Sequence, residues 1–524
     1  MKLTVSEWNV KIFSKDDVVP LTSHKCLKNE TFLFQVFAEA DEDFRGRIEI
    51  NSSLKCECYR VEKVKGDYYL DKEKDDYYVY AKDDTYPELL RKTDELDLRK
   101  GETATLFFEL PSPDKPVGEH VIKIAAGGAG VELTLEVLPE KLCDADIILT
   151  NWFHYDGICN YYGLKPFSED FYARFRLFLA AYAKMGNNMI LIPAFTPALD
   201  TEIGGERLTT QLVKITKRGE EYDFDFSEFD KVVGICKEAG IKYFELSHLF
   251  TQWGGKACPK IVATENGEEK KIFGWEVAST DEKYLAFLKQ YFAALAPHLE
   301  ELGISEQTYM HLTDEPNKPD LDNYVRLSEF VRENNYGIKT LDAMSHYELA
   351  EKKAVTLPVV SMNSAEFDKF SGADRMVYYC IGVDENYLSN RYFHMPLQRT
   401  EVLGMQLYDI KAGGFLQWGF NFYNSFLSVR ALNPYKETTA DGHFCAGDSF
   451  IVYPGEKDVE YSLRYFAMLK AFEEYRLLKT LEGKFGRDYV CGVLHDYGIK
   501  GIHDYPRSAE KHSEFAEKLK SLLN

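Results

Sequence analysis

Nowhere in the 524 residues is there a run of the ~20 apolar residues that a membrane-crossing helix needs. The first ten, Met1-Lys2-Leu3-Thr4-Val5-Ser6-Glu7-Trp8-Asn9-Val10, lack the apolar stretch of a secretory signal and carry Glu7 and Asn9 early, so a cytoplasmic location is expected. Positive charge is in short supply: the net charge of −22 speaks against non-specific binding to nucleic acid or anionic membranes, both of which need clustered Lys and Arg. The ten cysteines follow no metal-site rhythm, and the close pair Cys56-x-Cys58 has no second pair at zinc spacing. They are expected to be reduced thiols. A nucleophile elbow and the HExxH and HxH metal spacings are absent, as are the flavin, nicotinamide and phosphate fingerprints. The glycine cluster Gly127-Gly128-Ala129-Gly130 precedes no helix and reads as a hairpin turn. No cofactor and no metal are expected.

What remains is a soluble-type composition, 45% hydrophobic and 28% charged, rich in Tyr (34) and Phe (35) with five Trp. Tyr and Trp suit sugar clefts, where a flat apolar face and a polar tip are both useful. Residues 1–140 read as an all-β sandwich of short alternating strands. The acidic, Tyr-rich insert at about 67–84 reads as a solvated loop. After the linker Leu138-Pro139-Glu140-Lys141 the pattern changes to strands alternating with helices. Eight apolar strands are expected near 145–154, 188–193, 242–248, 308–313, 339–345, 356–362, 375–380 and 414–420, the count of a closed (β/α)8 barrel. Helical sequence at about 459–481 is expected to close that barrel, and a terminal helix at about 508–522 has no evident place. The expected modules are therefore an accessory sandwich over 1–140, an α/β TIM-type barrel over 141–485 and an extension over 486–524.

In such a barrel the active site is built from the C-terminal ends of the strands. The fourth strand ends in Thr313-Asp314-Glu315-Pro316, two adjacent acids halted by a proline. Two acids side by side gain nothing for a core; they suit a solvated turn, a cation site or acid chemistry with pKa values driven apart. The other ends offer Asn151, Trp152 and His154; Ser247 and His248; Ser345 and His346; Ser361 and Asn363; Tyr378, Tyr379 and Cys380; Trp418 and Asn421. That inventory suits a neutral ligand flanked by aromatics, and carboxylate chemistry on it describes glycoside hydrolysis. An ordinary retaining enzyme needs a second carboxylate about 5–5.5 Å from the acid. Asp384 and Glu385 lie out in a loop and Asp342 sits inside its strand. A substrate 2-acetamido group supplying its own nucleophile, with Glu315 as general acid and an ionised Asp314 orienting the acetamide, meets the pattern. A barrel glycosidase for a sugar without an acetamide, or a silent carbohydrate-binding protein, remains open.

The Thr313-Asp314-Glu315-Pro316 end, Asn390-Arg391 with Pro396-Leu397, and the block from Gly413 to Tyr423 resemble the domain-of-unknown-function family 4091. That family is related to glycoside hydrolase family 123, the β-N-acetylgalactosaminidases. The resemblance implies an N-terminal sandwich, a (β/α)8 barrel and an adjacent Asp-Glu pair working by substrate assistance. Asp314 and Glu315 take the catalytic positions, with Trp418 and Asn421 lining the pocket. Tyr378, Tyr379, His248, Trp152, His154, Trp275, Asn390 and Arg391 are further candidate contacts to an oligosaccharide, and Trp253 is a candidate stacking platform.

Overall fold

The computed structural model describes residues 1–67, 75–79, 81, 83–111, 114–144, 146–370, 374–379 and 385–523. The expectations on Cys380 and Asp384, and on residues 68–74, 80 and 82 of the acidic insert, fall outside them. The chain forms two compact units, one of residues 1–146, 384–411 and 435–524 and the other of 147–383 and 412–434. None of the described helices is long and apolar enough to cross a membrane.

In the first unit, alternation along Phe32–Glu39 sends Phe32, Phe34, Val36 and Ala38 into one core with Ile122, Ile124, Leu133, Leu135 and Val137. The strand belongs to a seven-stranded antiparallel sheet, and its core partners belong to a four-stranded one. Gly127 and Gly128 do make the hairpin turn, between paired Ala126 and Ala129, with φ of 56° and 76°. Both angles belong to the left-handed region that a tight primed turn requires and glycine alone enters without strain. The large sheet is not completed within residues 1–140, because Val459–Ser462 pairs with Thr85–Lys92. The helix expected over 459–481 runs from Leu463 to Phe485 in this unit, capped by Ser462, with Phe466 5.0 Å from Phe107. Ala509–Ser521 lies against Ser23–Leu27, where Lys520 Nζ donates to the Lys25 carbonyl at 3.0 Å. The acidic insert corrects its expectation at Asp75: both carboxylate oxygens accept from the buried Arg399, at 2.8 and 2.7 Å. A buried guanidinium must be paired, and that need draws the loop inward.

The second unit is a parallel eight-stranded sheet in the ring order expected of a barrel. Its strands are Ile148–Asn151, Met189–Ile192, Tyr243–Leu246, Thr308–His311, Lys339–Met344, Leu357–Ser361, Met376–Tyr378 and Gly414–Gln417. Backbone ladders join each neighbouring pair except the first and second. One backbone bond, from the Asn188 N–H to the Leu149 carbonyl at 3.0 Å, and several side-chain bonds complete that seam. Asn188 accepts from the Leu149 N–H at 2.9 Å and donates to the Ile147 carbonyl at 2.8 Å. The Tyr182 hydroxyl accepts from the Asn151 N–H at 3.1 Å and donates to the Met189 carbonyl at 2.5 Å. Hairpins in the loops after the second and third strands, Lys214–Asp225 and Ile261–Phe273, pair with each other into a separate four-stranded sheet.

Candidate active site

The fourth barrel strand stops at His311, yet its chain stays fastened to the fifth: the Leu312 N–H donates to Leu341 at 3.3 Å and the Glu315 N–H to Ala343 at 3.1 Å. Along a regular strand Asp314 and Glu315 would face opposite ways. Here their φ angles are 113° and 44°. Left-handed backbone at consecutive non-glycine residues costs on the order of 1–3 kcal/mol each and persists only where the surroundings impose it. It breaks the alternation, so that two adjacent carboxyls can serve one cleft. The Asp342 carboxylate does the imposing, accepting from the Thr313 N–H (3.0 Å), the Thr313 hydroxyl (3.0 Å) and the Asp314 N–H (2.8 Å). From the other side the Trp253 N–H donates to the Asp314 carbonyl at 2.8 Å. Gly255, at φ 66°, comes so close that a Cβ there would lie 2.8 Å from the Thr313 methyl.

Beneath the pair lies a charge relay with no solvent exposure. His311 Nδ1 meets Glu245 at 2.7 Å and Nε2 meets Asp342 at 3.0 Å, and the Trp152 indole N–H donates to Glu245 at 3.0 Å. Burial alone would lower the His311 pKa, but Asp342 and Glu245 raise it to about 10, so the ring is an imidazolium. His248 stacks on it with ring centroids 3.8 Å apart. Burial, and then the His311 charge, holds His248 far below the usual histidine range, so it is neutral. Nitrogen atoms of His248 and His311 and an oxygen of Asp314 lie within 4.8 Å of one another. A doubly protonated His311 has no lone pair for a metal, so in this form the cluster is a hydrogen-bonding site.

Both acids are raised above the carboxylate range. Burial and then the Glu315 charge push Asp314 well up; burial also raises Glu315, opposed by the Tyr378 hydroxyl, which donates to Glu315 at 2.6 Å. Burial weighs more on Asp314, while Tyr378 steadies the Glu315 anion. Such carboxyls hold protons that the unfolded chain has released, so their contribution to stability is present at low pH and is lost as pH rises through the raised values. Asp314→Asn is expected to melt above the wild type near about pH 8, the gap closing toward about pH 4, where unfolded carboxyls also protonate. Thermal melts across pH check this; a gap that grows toward low pH contradicts the raised pair.

A second group of buried polar residues adjoins Trp152. His154 donates its backbone N–H to Asn421 at 2.8 Å, Asn421 returns a bond to the His154 carbonyl at 3.0 Å, and His154 Nε2 meets the Trp418 carbonyl at 2.8 Å. Arg207, from the long loop after the second strand, grips Asp156 through two bonds of 2.9 and 2.7 Å and reaches His154 Nδ1 at 3.2 Å. Burial, then Arg207, lowers His154 to about 4, so it is a neutral strut between the first and eighth strands.

Of the residues expected at the site, Asp314, Glu315, Tyr378, His248 and Trp152 come together around the relay, and His154, Asn421 and Trp418 form the adjoining group. Tyr379, next along the strand from Tyr378, packs on Phe415 at 4.8 Å between centroids. Trp275 is half-buried beside the third-strand hairpin. Asn390 and Arg391 belong to the first unit, where Asn390 donates to the Tyr392 hydroxyl at 2.8 Å and Arg391 to the Asp448 carbonyl at 3.1 Å. Sequence reasoning passed over Glu245, His311, Asp342 and Arg207 as site residues. An acid flanked by apolar residues in a barrel strand, as in Phe244-Glu245-Leu246 and Leu341-Asp342-Ala343, was the available signal, since buried charge demands a partner.

Residues 152–481 match the family model for the catalytic domain of glycoside hydrolase 123. In structure the chain is similar to a family 123 glycoside hydrolase from Clostridium perfringens, described for glycolipid glycan hydrolysis, with a TM-score of 0.74 and 16% identity, covering 99% of this chain and 97% of that one. A GH10 xylanase from Thermobacillus composti matches at a TM-score of 0.30 and 11% identity, over 62% of this chain and 97% of that one. No curated protein matches in sequence.

Proposed function

The chain belongs to the glycoside hydrolase 123 family and is a glycosidase, and on that premise we propose that it is a retaining, exo-acting β-N-acetylhexosaminidase, for β-N-acetylgalactosaminides, using its substrate's own acetamide. One observation carries the reading. Of the four carboxylates gathered at the fourth strand, Glu245 and Asp342 are committed to His311, Trp152 and backbone N–H groups, which leaves Asp314 and Glu315, adjacent in sequence, for the substrate. Two neighbours fit an acid beside an acetamide holder better than an acid facing a nucleophile across the sugar.

In the proposed cycle Glu315 gives its proton to the glycosidic oxygen as the acetamide carbonyl oxygen bonds to the anomeric carbon and the aglycone leaves. Asp314 accepts the acetamide N–H and balances the charge of the oxazolinium. That N–H favours the Asp314 anion and so keeps the proton on Glu315, where the acid is needed. Glu315 then takes a proton from water as the water opens the ring, and the configuration is retained. The narrower kinship with family 4091, an accessory role for residues 1–140 and a cytoplasmic site of action on short imported glycans belong to the same proposal. The free thiols of Cys26, Cys56, Cys58, Cys143, Cys159, Cys236, Cys258 and Cys491 agree with a reducing compartment.

A panel of aryl glycosides with and without the 2-acetamido group tests it: turnover is expected only with the group present. A thiazoline analogue of the oxazolinium is expected to bind at least about 100-fold more tightly than substrate, as intermediate-like ligands do. Turnover of plain galactosides, untouched by the thiazoline, would replace this reading with an ordinary glycosidase. Binding without turnover would replace it with a silent lectin-like protein.

A further inference from the structure

Both ring nitrogens of His248 are fully buried and have no hydrogen-bond partner among the described residues. A neutral imidazole carries one donor and one acceptor, and leaving both unmet costs on the order of 1–3 kcal/mol for each. The stacked His311 cation on one side and the Trp152 edge, 5.4 Å between centroids, on the other leave the ring no freedom to turn toward other partners. One nitrogen lies within 4.8 Å of an Asp314 carboxylate oxygen, yet makes no bond to it. Two hydrogen bonds of about 2.8 Å meeting at one oxygen at a tetrahedral angle span about 4.6 Å, so the pair is within reach of one hydroxyl, which suits it as donor and acceptor at a single atom. An amide does not, because its N–H and C=O point in opposite directions.

We propose that His248 is a specificity-determining residue that, together with Asp314, binds one sugar hydroxyl, the 3-hydroxyl adjoining the acetamide. This rests on the functional reading above. If one Asp314 oxygen holds the acetamide N–H, the other faces the neighbouring ring carbon's hydroxyl, which donates to it and accepts from His248. Because His248 cannot charge, it selects a neutral hydroxyl over an anionic substituent at that position.

The test is a four-way comparison of kcat/KM: wild type and His248→Phe, each on an aryl N-acetyl-β-galactosaminide and its 3-deoxy counterpart. Either single change is expected to cost about 100-fold, since a site built around a hydroxyl rejects the analogue lacking it. Both changes together are expected to cost little more than one, because they remove the same bond. His248→Gln, which keeps an N–H, is expected to recover part of the loss, and it carries the comparison if His248→Phe fails to fold. Losses that multiply, or a 4-deoxy substrate that replaces the 3-deoxy one in this pattern, overturn the assignment while leaving the acetamido reading intact. Unchanged kcat/KM in a variant that merely melts lower overturns it in favour of a packing role. A wild type that turns over no acetamido glycoside overturns the functional reading, and this inference with it.

Discussion

Glu315→Gln is expected to lower kcat on a substrate with a poor leaving group by about 100- to 10,000-fold, the scale of a lost general acid. On a dinitrophenyl glycoside, whose leaving group needs no proton, the first step is expected to suffer far less. Asp314→Asn behaves differently. It is expected to lose activity to a similar extent on every leaving group, because an amide cannot balance the oxazolinium charge and offers its N–H where the acetamide needs an acceptor. Steady-state rates across a leaving-group series separate the two acids. Equal dependence on leaving group in both variants would mean that the roles are not divided in this way, and wild-type rates in both would remove the pair from the chemistry.

Asp342→Ala is expected to destabilise the barrel unit by about 3–5 kcal/mol, the cost of breaking a buried ion pair by removing one partner. One carboxylate serves His311, two N–H groups and a hydroxyl, so its loss strands a cation and unties the strained Asp314 backbone together. Urea unfolding measures the stability. A second readout separates electrostatics from packing: the His311 pKa, followed by NMR of its ring nitrogens, is expected to fall in the foldable Asp342→Asn. A destabilisation under about 1 kcal/mol would mean that water or a neighbour satisfies these groups without Asp342.

The barrel was legible because a buried parallel strand is apolar on both faces, and a run such as Met189-Ile190-Leu191-Ile192 can be little else. Asp314 and Glu315 were legible as an anomaly at a strand end. Their support was not: Glu245, His311 and Asp342 come from three strands, and only their meeting in space shows that each answers the others' charge. Arg207 gave no signal because a loop arginine has no period. The pairing of Val459–Ser462 with Thr85–Lys92 joins segments hundreds of residues apart, and nothing local in either names its partner. The bond from Tyr378 to Glu315 was hidden for a related reason, since the hydroxyl comes from the seventh strand.

The seam closed by Asn188 and Tyr182 bears on how the ring moves. Seven of its joints are backbone ladders, which yield only when several hydrogen bonds lengthen together. The eighth has one backbone bond, from the Asn188 N–H to the Leu149 carbonyl at 3.0 Å, and otherwise depends on side-chain groups able to let go by a rotamer change. Thermal breathing of the barrel therefore concentrates at that one joint, as a bracelet flexes at its clasp. The acids sit three strands round from the first and two from the second, held by ladders on both sides, so the clasp can loosen while the spacing of Asp314 and Glu315 stays fixed.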